Sequence, residues 1–149
     1  MAYSRKKSRE VVFRVLFSCA FSSDTCSEIH PYENRISPQV PLDAQELSLA
    51  CEEGELPTGP ELDYINKLYK AAVENLAEID KIITEHAKGF SFERIYKTDL
   101  TAIRMGIAEI KFTDIPAVVA VNAAVEIAKK YGTEKSGGFV NGILAEVIK

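Results

Sequence analysis

Three groups of residues have types and spacings that could carry chemistry. The first is the cation cluster Arg5, Lys6, Lys7 and Arg9 near the N-terminus. Grouped positive charge is what phosphate recognition needs, and a local basic patch serves even on an acidic chain. The second group runs from Lys135 through Ser136 and the Gly137–Gly138 pair to Phe139. Free N–H groups after a glycine pair can hold an anion at a helix start, and an aromatic ring beside a cation is a platform for an unpaired base. Each feature has a plainer alternative: a tight turn for the glycines and, as the better reading of spacing alone, a core position for Phe139. The third group could do acid–base or nucleophilic work: Glu109 with Glu126, and Cys26 with His30. Basic neighbours on the same helices favour structural ion pairing for the two glutamates. Cys26 and His30 lie in a proline-rich stretch with no third group to orient them. No catalytic set is expected.

Composition narrows the classes. At 149 residues, 46% hydrophobic and 27% charged, the chain is expected to form a single domain, 1–149, with a proper core. Three cysteines, Cys19, Cys26 and Cys51, form no C-x-x-C pair and read as free thiols in a reducing compartment. With His30 and His86 the only histidines, no metal site is expected. No apolar run approaches the roughly 18 residues of a membrane span, and the N-terminus lacks the apolar core of a secretory signal. A cytoplasmic protein is expected. The net charge of −4 is unevenly distributed. Residues 1–21 hold Arg5, Lys6, Lys7, Arg9 and Arg14 against Glu10, whereas residues 22–61 hold nine acids against Arg35. A basic arm thus precedes an acidic segment.

The elements that must position these groups are helical. Val11, Val12, Val15, Leu16, Cys19 and Ala20 line one face of a helix over 4–21. Its cations crowd the first two turns, where they oppose the helix dipole at about 0.3–1 kcal/mol each; that cost points to a use for the charge, against the alternative of a merely solvated start. Residues 22–60, punctuated by prolines, read as a long loop with a short helix over 42–53. Ile65 to Ile83 give a stripe belonging to one bent helix or to two, broken near 75–80, with Gly89 as C-cap. A further helix spans 91–112, in which Gly106 lets a neighbour approach closely. Pro116 opens a helix that Gly132 ends in the left-handed conformation, and Ser136 caps the last one. Asn122 and Asn141 are polar positions inside apolar helical runs, suited either to hydrogen bonds across helices or to capping a neighbouring helix end. No alternating strand is found. The fold class is all-α, with about seven helices.

The segments IP-x-x-V-A-V-N-x-A-V-E-I-A-K-K-Y-G and GGFVNGIL, with KTDLTAIRMGIAEI upstream and SREVVFRVLF at the start, resemble the NusB transcription antitermination proteins. The likeness covers roughly two thirds of the chain and leaves residues 22–60 uncovered, as an apparent lineage-specific extension. It implies two small helical bundles and a non-catalytic protein, without cofactor, that binds boxA-type single-stranded RNA together with NusE, a small-ribosomal-subunit protein. It further implies a role in the antitermination complex on RNA polymerase during ribosomal RNA synthesis. Some family members form homodimers, so a homodimer is one form the resemblance allows. By position, Arg5, Lys6, Lys7 and Arg9 match an RNA-contacting arm, and Lys135, Ser136 and Phe139 a second RNA patch. Phe17 and Asp99 match positions facing NusE. Two departures stand out: Ala123 where a glutamate is usual, and Gly138 where a lysine is usual. A phosphate contact at 138 is therefore either missing or supplied by Lys135.

Two other readings compete. The acidic 22–61 segment suits a helical protein-interaction module without RNA binding. The same fold also occurs fused to ribosomal RNA methyltransferases, but this length leaves no room for a catalytic domain, so no enzymatic activity is expected. If arm and patch form one RNA surface, the first and last helices are expected to lie side by side.

Overall fold

A computed structural model describes residues 4–21, 50, 51, 56–87, 89 and 91–149. Six α-helices lie among them: α1 (Arg5–Phe21), α2 (Gly59–Glu74), α3 (Leu76–His86), α4 (Lys97–Phe112), α5 (Ala117–Tyr131) and α6 (Ser136–Val147). A single 3-10 turn, Phe92–Arg94, precedes α4. No strand occurs among the described residues, and no described helix is long and apolar enough to cross a membrane. The Cys26–His30 pair and most of the helix expected over 42–53 lie outside the described residues; Ala50 is helical and buried.

Helix α4 organises the rest. Every residue from Asp99 to Glu109 is buried, because the other five helices all pack against it. Two small bundles share it: α1 and α2 close on one side, and α3, α5 and α6 on the other. Such crowding explains Gly106. A Cβ there would stand 2.9 Å from Leu144 Cδ1 and 3.2 Å from Ala124 Cβ, so α5 and α6 approach α4 as closely as they do because 106 has no side chain. The break between α2 and α3 falls at Asn75, whose amide donates to the Ala71 carbonyl at 2.9 Å.

Packing this tight must satisfy the charges it buries. Arg104 of α4 donates from Nε and a terminal nitrogen to the Asp80 carboxylate on α3, at 2.8 and 2.9 Å. Glu109 of α4 accepts from Arg9 Nε on α1 at 2.9 and 3.0 Å and also from the Tyr64 hydroxyl on α2. One ion pair thus ties α4 to each bundle, buried at Glu109 and partly buried at Asp80. Burial raises the Glu109 carboxyl above its ordinary value, against the opposing pull of the Arg9 charge.

Three local expectations change. The first and last helices are not packing neighbours: α1 packs on α2, α4 and α5, whereas α6 packs on α3, α4 and α5. Helix α5 lies between them, since the central position is taken by α4. Gly132 does end α5, but at φ −102° rather than in the left-handed region. Its glycine is required by space: a Cβ would come within 2.3 Å of Ser136 Oγ and 2.7 Å of the Ala128 carbonyl oxygen. Ser136 does not cap α6; it is the helix's first residue, and its Oγ accepts the Thr133 N–H at 2.9 Å, closing the turn behind it. Gly89 is left-handed at φ +85° as expected, although α3 has already ended at His86.

The Arg9–Glu109 pair yields a prediction. Removing one partner of a buried ion pair costs about 3–5 kcal/mol. Without Arg9 the two contributions that most oppose burial at Glu109 are lost, leaving only the weaker pull of the Arg5 charge, so its folded-state pKa rises further above the unfolded one. A group shifted that way destabilises progressively as pH rises through the folded pKa. Arg9→Met is therefore expected to lose about 3 kcal/mol relative to wild type at neutral pH and less under mildly acidic conditions. Urea unfolding of both proteins at the two pH values checks it, and a pH-independent difference contradicts it.

Candidate nucleic-acid interface

The four cations of the arm do not share one fate. Arg5 grips Glu61 on α2, with Nε to Oε1 at 2.9 Å and a terminal nitrogen to Oε2 at 3.2 Å, and its guanidinium lies 3.8 Å from the Tyr64 ring centroid. The Arg5 and Ser8 hydrogen bonds hold the Glu61 carboxyl below its ordinary pKa. Arg9 is only 7% exposed and engaged by Glu109. Lys6 is exposed and Lys7 half-buried, with the Lys7 backbone N–H on Ser4 Oγ at 3.1 Å. The arm therefore divides into two arginines that hold the fold and two lysines at its surface. Helical geometry accounts for the division, since Arg5 and Arg9 are four residues apart and share a face.

Lys6 lines a groove of about 410 Å³ with Lys129 and Lys130 of α5. Lys130 pairs with Glu10, which also accepts from the Tyr131 hydroxyl at 3.2 Å. Burial pushes the Glu10 carboxyl up, but the hydrogen bond and charge of Lys130, together with Tyr131, outweigh it and leave the pKa lowered. Glu126, weighed above as an acid–base partner of Glu109, is an exposed residue on the wall of this groove. Glu109 is enclosed at 1% exposure on Arg9 and Tyr64.

The second patch lies along another groove, of about 530 Å³, between the start of α4 and the start of α6. Lys135 and Phe139 line one wall; Arg94, Tyr96 and Asp99 line the other. Phe139 is half-buried and packed against the core, so the core and platform readings of that residue are compatible. Ser136 is buried beneath the turn. Asp99 sits in the first turn of α4, favourable for an acid, at 4% exposure, and its Oδ1 has no hydrogen-bond partner among the described residues. Two positions assigned to different partners, Asp99 and Phe139, thus face one groove. Phe17 lies apart, its ring stacked on Phe13 at 5.7 Å, and Phe13 in turn stacks on Tyr131 at 5.0 Å.

Sequence reasoning missed Lys129, Arg94 and Tyr96. Lys129 reads in sequence as a C-terminal complement to the helix dipole, which hides its position beside Lys6. Tyr96, 71% exposed just before α4, had a visible signal: an aromatic residue in a polar pre-helical stretch. Among the described residues no three His, Cys, Asp or Glu side chains converge as a metal site would require.

Comparison with known proteins places this geometry. The NusB family model matches residues 6–149. The transcription antitermination protein NusB of Agathobacter rectalis is 40% identical over 144 residues, covering 96% of this chain and 98% of that protein. NusB of Clostridium botulinum strain Hall is 36% identical over 150 residues, covering 97% and 99%. Among solved structures, T. maritima NusB superposes with a TM-score of 0.76 at 30% identity, covering 99% of this chain and 92% of that one. A chain from the crystal structure of antitermination factors NusB and NusE in complex with dsRNA gives 0.72 at 28% identity, covering 96% and 94%. These matches run through residues 22–60, so that segment is not an extension relative to these proteins. From residue 6 to residue 149, the chain belongs to the NusB family.

Proposed function

We propose that this protein is a transcription antitermination factor of the cytoplasm that binds boxA-type RNA together with NusE. The RNA-bound pair joins the antitermination complex on RNA polymerase during ribosomal RNA synthesis. Residues 1–149 act as one RNA-binding domain, and no catalytic step is involved. The observation that carries the reading is the full-length match to NusB proteins, one of them solved with NusE and RNA. The grooves add physical support. Exposed Lys6 and Lys135 are suited to backbone phosphates, and Phe139 to stacking a base at the rim of a groove that already holds cations. Asp99 and Phe17 remain the positions assigned to NusE. A buried carboxylate oxygen without a partner favours an incoming hydrogen-bond donor, so Asp99 suits a basic or amide-bearing side chain.

Three to five phosphate contacts predict that the logarithm of RNA affinity falls with the logarithm of salt at a slope of roughly −2 to −3.5. Titrating boxA-type RNA with and without NusE at two salt concentrations measures it; absence of binding even with NusE refutes the reading.

Phe139→Ala is expected to weaken RNA binding by about 1–3 kcal/mol, the worth of one stacked base. A variant that stays folded by circular dichroism yet binds as wild type makes Phe139 a core residue only.

The protein-interaction alternative separates cleanly at the arm. The double reversal Lys6→Glu and Lys7→Glu is expected to abolish RNA binding while leaving NusE binding intact. Arg9 is unsuited to this test, because a reversed charge there faces buried Glu109.

A further inference from the structure

Helix α5 separates the arm from the turn at Ser136–Phe139, and that turn has glycine at 137 and 138, with Lys135 immediately before it on the Phe139 groove. One side chain spans the gap. A Cβ at Gly137 would stand 2.8 Å from Lys129 Cγ and 2.9 Å from Lys129 Cε, so the lysine stem lies against the backbone of the turn. The same lysine lines the groove that holds Lys6 and Lys130. It is exposed, and among the described residues no carboxylate pairs with it, whereas neighbouring Lys130 is held by Glu10. A stem already packed on backbone has less rotamer freedom left to lose when its ammonium meets an anion.

We propose that Lys129 seats a backbone phosphate of the bound RNA between the arm and Phe139, joining the two basic patches into one track. The inference rests on the RNA-binding reading and deepens it. Glycine at 137 is part of the device, since any side chain there displaces the lysine stem. Lys129, rather than Lys135 on the opposite groove, is then the cation that serves the glycine turn.

The test uses the full chain with NusE and boxA-type RNA at about 50 and 200 mM salt. Lys129→Gln should keep the wild-type unfolding midpoint, as an exposed residue without an ion pair. Its log–log salt slope should be shallower by about 0.7, so its deficit against wild type narrows roughly 2.6-fold over that fourfold salt range. Lys111→Gln, exposed at the end of α4 and outside both grooves, should behave as wild type and serves as the control for general charge. A Lys129→Gln protein with wild-type affinity and slope overturns the inference while leaving RNA binding by the family fold intact. Equal losses in both variants also overturn it, because the effect is then diffuse charge. A wild-type chain that fails to bind the RNA overturns the underlying reading and this inference together.

Discussion

Enclosure of α4 on all sides is the constraint on which the rest of the structure depends. A helix with no solvent face from Asp99 to Glu109 must keep its neighbours close and answer its own charges inside the protein. Small residues do the first: Gly106, Ala102 and Ala108 leave room for five surrounding helices. Ion pairs do the second, with Asp80 reaching Arg104 from one bundle and Arg9 reaching Glu109 from the other. Buried pairs of this kind add little net stability over a well-packed apolar alternative, but a mispaired arrangement strands a charge. They therefore select one way of docking the two bundles on their shared helix.

That internal demand changes the meaning of the basic N-terminus. Four cations in the first turns look like one electrostatic unit, yet Arg5 and Arg9 lie on the face turned towards α2 and α4, where Glu61 and Glu109 meet them. The arginine fork suits such hydrogen-bonded, partly desolvated positions, and a lysine is better suited to a solvated phosphate contact. The helix thus presents its lysines outward because its arginines are engaged within. Internal ion pairing and outward positive charge share the same short stretch, divided by helical phase.

The two grooves show how α5 mediates between the first and last helices, each of which packs on it. Its Lys130 anchors α1 through Glu10, while Lys129, one residue earlier, lies against the glycine turn that starts α6. Adjacent positions on a helix point about 100° apart, so one helix end can serve two neighbours. On the other side of that turn, Asp99 and Phe139 share a groove, and the unanswered Oδ1 of Asp99 is an exception to the satisfaction seen elsewhere in the buried part of α4.

Much of the fold was legible from the chain alone. Apolar periodicity located the helices, Asn75 lay in the stretch where a break was expected, and Gly106 advertised a close approach, because these are local consequences of side-chain size and 3.6-residue spacing. The motifs Ile115–Gly132 and Gly137–Leu144 carried the family likeness for the same reason: they are contiguous. What needed tertiary structure were facts about pairs far apart in sequence. Arg9 and Glu109 are 100 residues apart, and no local pattern says that one of four clustered cations is buried. The need for glycine at 132 turned on Ser136 Oγ and the Ala128 carbonyl filling the space beside it, not on the left-handed helix-ending rule. The order of neighbours around α4 placed α5 between the first and last helices, and so turned Lys129 from a dipole complement into a side chain shared by two patches. Sequence determined which residues could be helical and which could bind; only three-dimensional packing decided which charges were already taken.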